Sequence, residues 1–358
     1  MTLSTLLSGL NCKVIFTDFS FKRSVKKKGY LHAHCPYHKS KKGFFLFVIG
    51  LIPEWRGKYS KLWLFFFLRG KFHIVYSFFY SFQNIRFASW IAKQKKCRHI
   101  VHIADHSPKF FKSLEFKLLL KSSFKRACIG HNMKDAYEKK FDVKFEVFHN
   151  YADSKHLPLP PVDKFTFNKE NPFKILFIGS LFSHLHKGAI NDLCKVVTKL
   201  KKSGLSIIFN LYGQRVPYNF LTDEIDGDAV VHHGEVPTED RFKIMQEHHA
   251  FVVPSAFDSN LANEYCFSIP TKLPELLASG RPTIVYGPNL MEAHRFCKDN
   301  ECGYLIDQRS IDKLEVSLLE IMHNYQKHLT ASTEQAKKIQ HLMSKSSQIP
   351  RFHRFLLT

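Results

Sequence analysis

Phe267-Ser-Ile-Pro-Thr-Lys-Leu-Pro-Glu-Leu-Leu-Ala-Ser-Gly-Arg-Pro-Thr-Ile-Val-Tyr-Gly-Pro288 reads as a loop, a short helix, a tight turn and a buried strand. Thr271, Lys272 and Glu275 fall within about one turn of the helix start. A helix N-terminus exposes unpaired backbone N–H groups and a partial positive charge, which suits a phosphate. Lys272 adds a full cation and Thr271 a hydroxyl. Glu275 supplies an acceptor for sugar hydroxyls.

Outward from that segment, strand and helix alternate. Lys174–Ser180 is an apolar run ending in Gly-Ser. Ala189–Ser203 has helical spacing (Ile190, Leu193, Cys194, Val197, Leu200) and stops at Gly204. Leu205–Leu211, Val230–Val236, Ala250–Pro254, Pro282–Tyr286 and Gly303–Ile306 read as further strands. Thr238 caps a helix through His248, and a long helix runs from about Ile311 into the 330s. Such alternation predicts an α/β fold, a parallel sheet with helices on both faces and ligands beyond the carboxyl ends of the strands. Three turns fall on that edge: Gly179-Ser180, Gly213-Gln214 and Phe267–Lys272.

The first half is less regular. Lys13–Phe19, Arg98–Ala104, Arg126–Gly130 and Phe145–Phe148 read as strands, the second of them ending in Asp105-His106-Ser107-Pro108. Ser154–Lys174, with Pro158, Pro160, Pro161 and Pro172, reads as a linker. The expected organisation is a domain over 1–160, a second over 170–340, and a tail, 341–358, that packs back on the first.

A length of 358 residues suits two domains, and 44% hydrophobic with 23% charged residues is a globular composition. The net charge of +22 is uneven: residues 1–170 hold 32 Lys and Arg against 11 Asp and Glu, the remainder 21 against 20. Phe is skewed likewise, with 23 of 35 before position 171. A basic, aromatic half fits anionic lipid, nucleic acid or an anionic small substrate. No nucleic-acid recognition motif accompanies it. The eight cysteines are scattered, without a CxxC pair, which suits a reducing cytoplasm. The first residues lack a signal peptide's basic start and apolar run. Gly43–Pro53 and Leu62–Leu68 are too short to span a bilayer.

Taken in order, Ile175-Leu-Phe-Ile-Gly-Ser180, His186-Lys-Gly188, Leu211-Tyr-Gly213, His233-Gly-Glu-Val-Pro237, Phe251-Val-Val-Pro-Ser255 and Ser268–Pro282 resemble the GT-B glycosyltransferases, family 4-like, of bacterial surface polysaccharide and lipopolysaccharide assembly. The resemblance covers about residues 126–325. It implies two doubly wound Rossmann-like domains facing across a cleft, an acceptor site in the first and a nucleotide-sugar site in the second. It also implies a UDP- or GDP-linked donor, no metal cofactor, and a saccharide or lipid-linked saccharide acceptor. Carried over, Gly179 and Ser180 let backbone approach a diphosphate, Lys187 neutralises it, and Gly213 shapes the floor near the base. Thr271 and Lys272 grip phosphate, Ser268 is a further donor-binding residue, and Glu275 contacts ribose. Phe267 stands where many relatives carry an earlier glutamate.

Asp105 and His106 are the candidate acceptor-side catalytic residues, either able to take a hydroxyl proton, with Lys272 on the leaving group. They also fit a simple strand-end cap. His32-Ala-His-Cys-Pro-Tyr-His38 has zinc-ligand residue types without a standard spacing. Leu62-Trp-Leu-Phe-Phe-Phe-Leu-Arg-Gly-Lys71 fits either an interfacial patch on an anionic membrane or a buried element with basic flanks. The expectation is a cytoplasmic enzyme, peripheral on the inner face of the membrane, with no nucleic-acid partner. The competing reading is a basic membrane- or nucleic-acid-binding protein on the same scaffold without catalysis.

Overall fold

The computed structural model describes residues 12–16, 44–49, 72–79, 82–150, 157–160, 166–216, 227–237 and 239–358. The chain divides into two compact units, residues 1–149 with 349–358, and residues 150–348.

The first unit is built on six parallel strands in sequential order: β1 (Cys12–Phe16), β2 (Phe44–Ile49), β3 (Phe72–Phe79), β4 (Arg98–Ile103), β5 (Lys125–Cys128) and β6 (Glu146–Val147). β1, β4, β5 and β6 lie in stretches whose sequence reads as strand. β2 and β3 are additional. β3 alternates across the pleat. Ile74 and Tyr76 face Ile100, Ala127 and Phe148, while Val75 faces Phe87, Ala88, Ile91 and Ala92 of the helix Phe82–Lys95. Phe352, Phe355 and Leu356, from the last turns of the helix Lys345–Leu357, complete the first of these clusters. Lys125 Nζ donates to the Phe355 carbonyl at 2.9 Å, a cation at a helix C-terminus. The helices Pro108–Phe111, Leu114–Ser122 and His131–Phe141 fill the connections.

The second unit holds β7 (Phe173–Ile178), β9 (Ile207–Tyr212), β11 (Val230–Gly234), β12 (Ala250–Pro254), β13 (Thr283–Tyr286) and β14 (Tyr304–Ile306), all parallel. All six match strands read from the sequence. Their spatial order is β11-β9-β7-β12-β13-β14. By succession within the unit that is 3-2-1-4-5-6, the doubly wound order, and it reverses between β7 and β12. Ligands of such sheets bind outside the carboxyl ends at the reversal. β7, β12 and β13 are buried nearly throughout, as strands covered on both faces must be. Ile190, Leu193, Cys194 and Val197 bury against them at the helical spacing.

Two boundaries differ from the sequence reading. The first helix of this unit runs Ser183–Lys202, so His184, His186 and Lys187 are helical rather than part of a loop. The chain enters it directly from a two-residue strand, β8 (Leu181–Phe182), which pairs with β10 (Arg215–Val216). The last stretch is two helices, Ile311–His323 and Tyr325–Met343, because Asn324 leaves the helical region at φ −107°, ψ 34°. The remaining helices are Arg241–Gln246, Ser259–Tyr265, Leu273–Ala278 and Glu292–Asp299. Among the described residues, no helix is long and apolar enough to cross a membrane. His32, His34, Cys35, His38 and the Leu62–Lys71 patch lie outside the described residues.

Candidate functional site

Two of the three glycine-bearing or basic turns meet beyond β7 and β9, beside the sheet reversal. Gly179 follows β7 and Gly213 follows the neighbouring β9. Gly213 sits at φ +149°, and a β-carbon there would stand 1.6 Å from the Gly179 carbonyl oxygen, so no other residue fits. The glycine N–H groups of these turns, and that of Leu181, are already engaged. Gly179 N donates to Tyr212 O (2.9 Å), Gly213 N to Gly234 O (2.7 Å) and Leu181 N to Gln214 O (3.0 Å). The glycines therefore supply close approach, not spare N–H groups. Ser180 is exposed at the rim.

The third turn follows β12 and the helix Ser259–Tyr265. Ser268 N bonds back to Tyr265 O at 2.9 Å, and Glu292 N reaches Cys266 O at 3.0 Å, which fixes the loop from two sides. The helix that follows is only Leu273–Ala278, with Pro274 in its first turn. It ends at Ser279-Gly280, where Gly280 takes φ +82° against Thr333. Leu273, Pro274, Leu276, Leu277 and Ala278 are buried, each large aliphatic side chain contributing about 1.5–3 kcal/mol. Gln340 Nε2 donates to the Ala278 carbonyl at 2.6 Å, which ties the helix to Tyr325–Met343. The short helix is thus held rigidly, with Glu275 as its one residue not fully buried. Thr271 is exposed and Lys272 half-buried.

Glu275 Oε1 accepts from Arg241 Nη2 at 2.9 Å, with the side chains 21% (Arg241) and 12% (Glu275) exposed. Arg241 opens the helix Arg241–Gln246 and stands over the Phe242 ring, 4.7 Å from its centroid. Burial pushes the Lys272 ammonium below its usual range; the Glu275 carboxylate opposes this and the Arg241 cation adds to it. Three charges thus share one locality. The sequence reading found Lys272 and Glu275 but missed Arg241, which lies 34 positions away from Glu275.

Lys187 lies about one turn into the helix Ser183–Lys202, which follows the Gly179 turn. On that helix Asp192 is 5% exposed and takes a bidentate bond from Arg309, at 2.8 Å from Nε and 3.0 Å from Nη2. The Tyr286 hydroxyl donates to the same carboxylate at 3.0 Å. This lock joins the helix, β13 and the segment after β14, and the Arg309 guanidinium lies 3.6 Å from where a β-carbon on Gly188 would be. On the other side, His232 Nε2 donates to the Gly213 carbonyl at 2.9 Å. His233 stacks on Tyr212 at 4.3 Å and bonds to Asn210, which in turn donates to His248 at 3.0 Å. These histidines brace the Gly213 turn. Their only trace in the sequence is the strand end Val230-Val-His-His-Gly234.

Asp105 and His106 belong to the first unit, just beyond the carboxyl end of β4. Asp105 is exposed and His106 half-buried; neighbouring protein atoms partly desolvate both, which raises the carboxyl and lowers the imidazole from their usual ranges. His106 Nδ1 is 3.1 Å from the Tyr137 hydroxyl. Burial keeps that phenol protonated, and the Ser107 backbone also bonds to it. The Tyr137 contact occupies one ring nitrogen of His106, and burial disfavours its protonated form. Among the described residues, no three His, Cys, Asp or Glu side chains are grouped so as to hold a metal ion.

Residues 172–324 match the family described as glycosyl transferases group 1. No curated protein is similar enough to match. Among solved structures, HepE of Anabaena in complex with UDP-glucose is similar at 12% identity and a TM-score of 0.70, over 99% of this chain and 94% of that one. Sucrose-phosphate synthase of Thermosynechococcus elongatus is similar at 12% identity and 0.63, over 97% and 98%. WaaG, a glycosyltransferase involved in lipopolysaccharide biosynthesis, is similar at 11% identity and 0.50, over 87% and 98%. At such identities the likeness is one of fold.

Proposed function

We propose that this chain, a GT-B-fold protein of two Rossmann-like units whose residues 172–324 match the group 1 glycosyl transferases, is a nucleotide-sugar-dependent glycosyltransferase. The carrying observation is the half-buried Lys272 on the carboxyl edge of a sheet with 3-2-1-4-5-6 order. A desolvated cation at that edge calls for an anion, and a nucleoside diphosphate meets the need. The donor is a UDP- or GDP-linked sugar, in line with the UDP-glucose held by HepE.

In the transfer, an acceptor hydroxyl oxygen bonds to the anomeric carbon, and the bond from that carbon to the diphosphate oxygen breaks. Negative charge grows on the departing diphosphate, and Lys272 with Lys187 stabilises it. Thr271 and Ser268 add hydroxyl contacts, and the Gly179 and Gly213 turns admit the phosphates without a side chain in the way. Asp105, its carboxyl raised by partial desolvation, takes or orients the acceptor proton, with His106 beside it.

The acceptor is a saccharide or lipid-linked saccharide of a cell-surface glycan, met at an anionic membrane surface. Its support is the basic first half and the helix Leu114–Ser122. There Leu114 and Leu118 are 70% and 59% exposed on one face, with Lys109, Lys112 and Lys121 exposed nearby.

A thermal-shift titration with UDP, GDP, ADP and CMP tests the function. A nucleotide bound only by the folded chain raises the melting temperature by mass action. A rise with one of them, followed by sugar transfer from the matching donor, supports the reading; no rise with any overturns it.

A further inference from the structure

Lys272 and Glu275 are three residues apart across the start of one helix, a spacing at which opposite charges normally pair with each other. Here Glu275 turns instead to Arg241, at 2.9 Å. Among the described residues, no carboxylate forms an ion pair with Lys272. Arg241 suits the task, because a planar guanidinium binds a carboxylate directionally and Phe242 holds it from one side, 4.7 Å from ring centroid to guanidinium carbon. Its Nε is buried without a hydrogen-bond partner, so the guanidinium retains an unspent donor. Two cations and one carboxylate leave the locality one positive charge in excess, in a place where water is partly excluded.

We propose that Arg241 is the positioning residue of the donor site: by holding Glu275 it keeps that carboxylate from bonding to Lys272, so that Lys272 meets the donor's diphosphate as a cation with no carboxylate bonded to it. This rests on the glycosyltransferase reading. Without Arg241 the Glu275 carboxylate swings to Lys272, and the pocket becomes neutral before the diphosphate arrives. Arg241 thus acts through charge balance rather than by touching the sugar, and the helix Leu273–Ala278 and the helix Arg241–Gln246 are coupled through it.

The test is a binding series by titration calorimetry, with UDP, GDP and ADP on the intact chain and with the parent nucleoside of the tightest ligand as the uncharged control. Arg241→Ala weakens diphosphate binding about tenfold, a loss between the fully screened and the surface value of one charge–charge contact, and leaves nucleoside binding unchanged. Arg241→Lys keeps the charge and retains most of the affinity. Adding Glu275→Gln to Arg241→Ala restores the ratio of diphosphate to nucleoside affinity to within about threefold of that of the unaltered protein, because Lys272 again has no carboxylate bonded to it and a ribose contact of Glu275 divides out of the ratio. A further fall in that ratio on adding Glu275→Gln would overturn the proposal. An equal loss for nucleoside and diphosphate would overturn it too, since a merely structural role predicts that. If the unaltered chain binds no nucleoside diphosphate, the glycosyltransferase reading fails first and this proposal with it.

Discussion

Gly213 and Gly179 touch backbone to backbone: a β-carbon on Gly213 would lie 1.6 Å from the Gly179 carbonyl oxygen, while one on Gly179 would meet only the Phe177 ring at 3.4 Å. The two glycines are therefore unequal. Gly213→Ala must push the two turns apart and break the Gly213–Gly234 bond of 2.7 Å. It should cost about 3 kcal/mol or more in a urea melt and abolish nucleotide binding. Gly179→Ala should cost less than about 1 kcal/mol.

Lys272→Ala should reduce kcat/KM by about a hundredfold or more, the loss of a full cation on a leaving diphosphate. Its burial lowers the ammonium pKa, so the fold gains little from the charge, and the melting temperature should stay within a few degrees. Unchanged sugar transfer would remove the main support for the proposed chemistry.

The Asp192–Arg309–Tyr286 lock carries a ranking. Arg309→Ala leaves the Asp192 carboxylate, 5% exposed while Arg309 covers it, with the Tyr286 hydroxyl as its remaining partner in this lock. The cost should be about 2 kcal/mol, moderated because Arg309 itself is 55% exposed. Tyr286→Phe should cost about 1 kcal/mol, one hydrogen bond. Denaturant midpoints of the two variants should keep that order.

Acid should unfold the chain through its buried histidines. Burial lowers His99, His102 and His249 to about 3, and His149 and His248 to about 4. Each folded-state value lies below the unfolded one near 6.5, so the unfolded chain binds the proton more readily. Their contribution is fully present above pH 6.5 and is lost as pH falls toward 4. Each histidine subtracts up to about 1.4 kcal/mol per pH unit in that window. Urea midpoints at pH 7.5, 6.0 and 5.0 check the sign, and a midpoint that rises on acidification would contradict it.

Leu114→Asp with Leu118→Asp should prevent flotation with phosphatidylglycerol vesicles while changing stability by less than about 0.5 kcal/mol, because both leucines point outward. Phosphatidylcholine vesicles should bind neither form. Equal flotation of both forms with the anionic vesicles would exclude this face as the membrane contact.

The second unit was legible because its signals are local. Each strand is an apolar run closed by Gly, Pro or a polar turn, and Ile190 to Leu200 keeps helical spacing. The first unit was less so. Phe72–Phe79 is β-branched or aromatic at every position but Ser77, but Leu62–Lys71 before it is as apolar, and a run of aromatics hides the period of two that Ile74, Val75 and Tyr76 display in the sheet. Phe44–Ile49 is hidden in the same way. At the site, Lys272 and Glu275 could be found because one helical turn brings them together. Arg241, Arg309 and the histidines of β11 could not, because folding rather than spacing delivers them.

The first unit takes its core from both ends of the chain, since Phe352, Phe355 and Leu356 pack with Tyr76 and Phe148. During synthesis the amino-terminal sheet emerges from the ribosome long before these three side chains exist. The residue 150–348 unit has its own hydrophobic core and can close while the earlier-made unit still lacks part of its packing. Birth order and completion order are therefore reversed, and a chain ending at residue 348 would carry a finished 150–348 unit and a first unit that never gains the packing of Phe352, Phe355 and Leu356.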